Sequence, residues 1–132
     1  MRPHLLLLAL AFCALATGCK HDADTAPACY SGVITGSSCT DGLLIDMDAA
    51  YPIGHAAYSY GGSFLGRNVV AVNSTSLAGA GNLTTGQRLY FTYTNATNQQ
   101  SGTVCLAYDP VKPAVTHLVL SNVSTTPCAT TR

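Results

Sequence analysis

Leu83-Thr84-Thr85-Gly86-Gln87-Arg88-Leu89-Tyr90-Phe91-Thr92-Tyr93-Thr94 is the stretch whose reading decides the fold. Leu89, Phe91 and Tyr93 alternate with Tyr90, Thr92 and Thr94, and a period of two places successive side chains on opposite faces of a strand. Gly86 supplies the break from which that strand starts. Working outward, Tyr30–Thr35 is rich in strand formers and ends at the turn cluster Gly36-Ser37-Ser38. Leu43, Ile45 and Met47 alternate with Leu44, Asp46 and Asp48, which predicts a half-buried strand with its polar face toward water. Asn68–Asn73 is a short apolar run bounded by turn formers, and Val104–Tyr108 reads as a further strand stopped by Asp109-Pro110. His117–Val123 closes the series with Leu118 and Leu120 facing inward, while Ser76–Ala80 offers at most one helical turn.

The chain has 132 residues, 48% hydrophobic and 9% charged, with Lys+Arg equal to Asp+Glu and no Glu or Trp. That length suits one domain. A formal charge of zero argues against a nucleic-acid partner, which demands a basic surface to neutralise phosphates. The composition also argues against helical bundles and against intrinsic disorder. An all-β domain with six short predicted strands is a sandwich or a small barrel. The order is a first hairpin, a third strand, a connection with Leu77 and Leu83, then Gly86 and the aromatic strand. This layout resembles a five- or six-stranded OB-like Greek-key barrel. An immunoglobulin-like sandwich has a similar strand count and stays open.

Arg2 and His4 precede the apolar run Leu5 to Leu15, and Ala16-Thr17-Gly18 lead to Cys19. A charged start, a short apolar run and small residues form a secretory signal peptide over residues 1–18. Leu15-Ala16-Thr17-Gly18-Cys19 also resembles the lipobox of bacterial lipoproteins, and that resemblance implies a diacylglycerol on Cys19. Two or more acyl chains anchor stably, since each buried methylene contributes about 0.8 kcal/mol. From Cys19 onward five Lys and Arg face six Asp, a formal charge of −1. Residues 19–28 read as the lipidated Cys and a flexible tether, and residues 29–132 as the β-domain. Lys20 with Asp22 and Asp24 is similar to the surface-export signals of Bacteroidetes lipoproteins. Asp24-Thr25-Ala26 looks like the O-glycosylation motif of that phylum, which implies a glycan on Thr25. The sequons at Asn73, Asn82, Asn95 and Asn122 arise freely in a Thr-rich chain and carry no argument.

Six cysteines stand at 13, 19, 29, 39, 105 and 128. With Cys13 in the leader and Cys19 lipidated, Cys29, Cys39, Cys105 and Cys128 form two disulfides. Cys29 and Cys39 flank a strand and stand too far apart to bridge each other. Cys39–Cys105 with Cys29–Cys128 is the preferred pairing, and Cys29–Cys105 with Cys39–Cys128 is open. The pieces Cys29-Tyr30-x-Gly32, Cys39-x-Asp41-Gly42-Leu43-Leu44, Asn68-Val69-Val70, Phe91-x-Tyr93, Cys105 and Leu120-Ser121-Asn122-Val123 together resemble the small Cys-rich lipoproteins of Bacteroidetes. This resemblance implies an envelope location, at the outer membrane and its surface, and no defined activity.

Catalytic signals are weak. Gly61-Gly62-Ser63 breaks the spacing of a nucleophile elbow, and His55, His117 and Asp109 do not make a triad by residue type alone. Gly81 to Gly86 has phosphate-loop spacing but is followed by Gln87-Arg88, without the Lys and Ser/Thr that hold phosphate and magnesium. Without Cys-x-x-Cys no zinc or dithiol redox motif is supported, so neither metal nor cofactor is expected. Asp46 and Asp48 lie on one strand face and could bind calcium, though Asp41 is the only other acid within reach and nothing completes a calcium loop. The pair could also serve a carboxylate-dependent hydrolase, though solvated carboxylates explain them as well.

Residues 51–66 hold Tyr51, His55, Tyr58, Tyr60 and Phe64 in a Gly-rich connection. Long connections of this kind carry function disproportionately, and tyrosine rings stack on sugars while their hydroxyls hydrogen-bond. The bland alternative folds these aromatics over one barrel end to complete a small core. The reading is therefore a lipid-anchored, non-catalytic binding or structural domain with a glycan, peptide or envelope-protein partner. The alternatives are the hydrolase and a subunit of a larger envelope complex.

Overall fold

Four consecutive side chains, Val69, Val70, Ala71 and Val72, are fully buried. A strand with one face toward water would bury only alternate residues, so an unbroken run marks a strand covered on both faces. The computed structural model describes residues 29–96 and 105–128. Its six strands are β1 (Tyr30–Ser38), β2 (Gly42–Met47), β3 (His55–Tyr58), β4 (Phe64–Val72), β5 (Arg88–Asn95) and β6 (Thr116–Ser124), with a 3-10 turn over Ser74–Leu77. No α-helix occurs among the described residues. The leader, Cys19, the tether, Thr25 and Val104 lie outside them.

Strand order is β2-β1-β5-β6-β4-β3, and an additional β2–β4 pairing closes the ring. Five strands, β1, β2, β4, β6 and β5, thus make a closed OB-like Greek-key barrel in which only β4 and β6 run parallel. β3 is the extra strand. Val69 pairs with Asp46 of β2 on one side and with His55 of β3 on the other. β3 therefore continues along the same edge of β4 that β6 occupies at Val70–Val72.

The barrel interior is Ile34, Ile45, Met47, Val70, Val72, Leu89, Phe91, Leu118 and Leu120, all nearly or fully buried. A second cluster lies outside the barrel wall, where Leu44, Val69, Ala71 and Ala57 meet Val111 and Val115. The segment from Cys105 to Val115 is a strap folded across that outer face. It explains the burial of β4 on both sides and corrects the expectation that Leu44 shares a water-facing side with Asp46 and Asp48. Leu44 is 2% exposed because the strap covers it.

Two other expectations need correction. Residues 51–66 are not an irregular connection, since they contain β3 and the start of β4. The 105–108 part of the predicted Val104–Tyr108 strand is irregular, because the closed ring has already paired the barrel strands with one another. The disulfides are Cys29–Cys128 and Cys39–Cys105, with Cα separations of 6.3 and 5.6 Å, so the preferred pairing holds.

Asp48, just past β2, is tied to Ser31 of β1 and lies 2.6 Å from the Arg88 guanidinium of β5. The Arg88 hydrogen bond, with help from Ser31, holds the Asp48 carboxyl below the usual range against the opposing pull of burial. A depressed carboxyl stabilises the fold above the ordinary value of about 4, and that contribution is lost as pH falls through the lowered value. The two side chains are 44% and 34% exposed, so solvent screens the pair. Arg88→Ala is expected to cost under about 1 kcal/mol at neutral pH, with the gap to wild type closing in acid. A denaturation series across pH checks this, and a gap that widens in acid would refute it.

Candidate functional site

The hairpin that joins β3 to β4 turns at Ser59–Ser63. Ser59 donates its N–H to Ser63 O (2.8 Å), Gly62 donates to Ser59 O (2.9 Å), and Ser63 N–H donates to Ser59 Oγ (3.0 Å). Gly62 sits at φ +88°, a left-handed conformation that favours glycine. Further along β4, a Cβ at Gly66 would collide with the Asp46 carboxylate, which accepts the Asn68 N–H at 2.8 Å. Asp46 is thereby spent on fastening β4 to β2. Asp48 is spent on Arg88 and Ser31, so the two carboxylates of the hydrolase reading each have a structural partner.

Ala57 points into the outer cluster, and its neighbour Tyr58 therefore points outward. Tyr58 pairs across the hairpin with Phe64, and their rings lie 5.3 Å apart and tilted. Tyr58, Tyr60 and Phe64 remain 46%, 56% and 55% exposed. Lys112 from the strap bridges to Tyr58 through two main-chain hydrogen bonds of 2.8 and 2.9 Å. Its ammonium lies 4.9 Å over the Tyr60 ring, in cation–π range. Beside this surface lies a cleft of about 280 Å³. Ser37 and Ser38 of β1, Ser59, Tyr60 and Gly61 of the hairpin, and Asp109 of the strap are among the residues that line it.

The far wall of the cleft is pinned. Asp109 accepts the N–H groups of Cys39 and Thr40 at 3.1 Å, and these bonds, Cys39 first, hold its carboxyl below the usual range. Next to it the Cys39–Cys105 disulfide joins the β1–β2 turn to the strap. Buried Asp41 accepts Val111 N–H at 2.8 Å, accepts the Ser38 hydroxyl at 3.3 Å, and meets His117 Nε2 at 3.2 Å. Ser, Asp and His do meet here, and the carboxylate stands between the hydroxyl and the imidazole. In a Ser-His-Asp triad the imidazole hydrogen-bonds the hydroxyl directly, and here the carboxylate takes that place, so the three do not make that triad.

Of the five residues singled out in 51–66, the hairpin brings together Tyr58, Tyr60 and Phe64. Tyr51 packs against Tyr30, ring centroids 5.1 Å apart, and against the barrel core. His55 is exposed at the start of β3, opposite Val69. Lys112 was not legible as part of the site, because no local pattern links it to the hairpin. Among the described residues no three His, Cys, Asp or Glu side chains form a metal-binding group. No family model, no curated protein and no solved structure matches this chain.

Proposed function

We propose that this is a non-catalytic carbohydrate-binding domain, held in the cell envelope by a lipid on Cys19. The observation that carries the reading is the exposure of Tyr58, Tyr60 and Phe64 on one hairpin, beside a cleft, in a small protein whose core would gain from burying them. Half-exposed aromatic rings and tyrosine hydroxyls suit the C–H faces and hydroxyls of sugars. The barrel offers an analogy only, since OB folds host oligosaccharide and oligonucleotide sites alike. The leader through Cys19 supports the anchor and an outer-envelope location.

The disulfide-bonded protein should bind members of a glycan and cell-wall array. Tyr58→Ala with Tyr60→Ala should weaken that binding at least about thirtyfold while the far-UV circular dichroism spectrum is kept. Absence of binding by the wild type, or full affinity in the folded double variant, would sink the reading. For the anchor, Cys19→Ser should abolish incorporation of an alkyne-tagged fatty acid in the producing bacterium and release the protein from membranes. Label retained on the serine variant would refute lipidation at this position.

A further inference from the structure

Lys112 distinguishes this surface from a plain aromatic platform. Its ammonium has no carboxylate partner among the described residues, where the ion pairs are Arg88–Asp48 and His117–Asp41. Asp109, the nearest acid along the chain, turns its oxygens to Cys39 and Thr40. Asp41 is engaged by Val111, Ser38 and His117. The double main-chain bridge to Tyr58 fixes where the Lys112 stem begins. A positive charge thus stands at the rim of the Tyr58–Tyr60–Phe64 surface with no carboxylate among the described residues to neutralise it.

We infer that the hairpin takes an acidic glycan, whose ring stacks on the exposed tyrosines while its negative group meets the Lys112 ammonium. This rests on the reading of the hairpin as a carbohydrate site. Ser37, Ser38 and Ser59 line the adjoining cleft together with Leu65 and Val111, a mixed wall that suits the hydroxyls and the C–H faces of a sugar alike. Lysine is a compact point charge without the planar fork of arginine, so it selects for charge and not for one carboxylate geometry. Uronates and sialates share the chemistry it would read.

The test uses the full disulfide-bonded chain and a panel of uronate- and sialate-bearing polysaccharides, each beside its carboxyl-reduced counterpart. The acidic form should bind about five- to tenfold more tightly in roughly 50 mM salt, as one exposed, partly screened charge contact provides. That preference should shrink in roughly 500 mM salt. Lys112→Gln should remove it with no change in melting temperature, whereas Arg67→Gln, at another exposed cation, should keep it. Equal binding of acidic and reduced polymers, or a preference that survives Lys112→Gln, would overturn the inference and leave the carbohydrate reading standing. Binding to no polysaccharide would overturn both, and capture by phosphatidylglycerol vesicles in that case would identify the surface as a membrane contact.

Discussion

Cys39→Ser combined with Cys105→Ser should lower stability by about 4 kcal/mol, the chain-entropy contribution of a crosslink that closes so long a loop. The two cysteines are 66 residues apart in sequence. For a domain of this size that is a large fraction of a total between about 5 and 15 kcal/mol. The barrel ring does not depend on the crosslink, so the variant should still fold. The strap, however, would then be held by the Asp109 and Asp41 hydrogen bonds and by Val111 and Val115 against Leu44. Urea denaturation should show a lower midpoint, and glycan affinity should fall with it because the strap carries Lys112 and one wall of the cleft. An unchanged midpoint would show that the reduced chain already holds the strap in place.

Asn68→Ala is the second large effect, at about 3 kcal/mol. The Asn68 side chain, only 9% exposed overall, accepts the Gly54 N–H at 2.7 Å. Its amide donates to the carbonyls of Met47 (3.3 Å), Asp48 (3.3 Å) and Tyr51 (2.8 Å). One side chain thereby substitutes for a strand partner along the whole passage from β2 to β3. Alanine would leave the half-buried Gly54 donor without a partner, while Tyr51 O would keep only the Ile53 N–H, and the lost bonds with that desolvation are the main part of the cost. Hydrogen exchange should accelerate at His55–Ala57 before it does in β1 or β5. Uniform acceleration across all strands would show that Asn68 supports the barrel as a whole and not β3.

The strands at Leu43–Met47 and Leu89–Thr94 were legible because alternation survives wherever one face meets the core and the other meets water. Leu44 broke that rule, since the face it occupies is covered by a strap far away in sequence. β3 was hidden for a different reason. His55-Ala56-Ala57-Tyr58 carries neither alternation nor β-branched residues, and its pairing comes from the Gly61-Gly62-Ser63 turn and the Asn68 amide. That turn was a hairpin signal in plain view between two aromatic runs. Residues 105–108 failed in the opposite sense, with strand-forming residues and no barrel edge left to join. Half the site could be read. Tyr58, Tyr60 and Phe64 were visible as an aromatic cluster, while Tyr51 left it because the barrel end needed a large ring beside Tyr30. Lys112 reaches the site only through a main-chain bridge, a relation that no local pattern encodes.

The Cys29–Cys128 crosslink would shape how the domain, anchored as proposed, bears mechanical load. Cys29 immediately precedes β1, and the far end of that strand, at Ser37 and Ser38, lines the cleft. A pull exerted between residue 28 and a seated ligand therefore runs lengthwise along β1. Its hydrogen bonds to β2 and β5 are loaded together, in shear, and are not peeled one after another. The covalent link passes part of the same tension to the chain beyond β6. In the proposed arrangement, anchored at one end and holding a glycan at the other, the domain would take drag across whole strands rather than bond by bond.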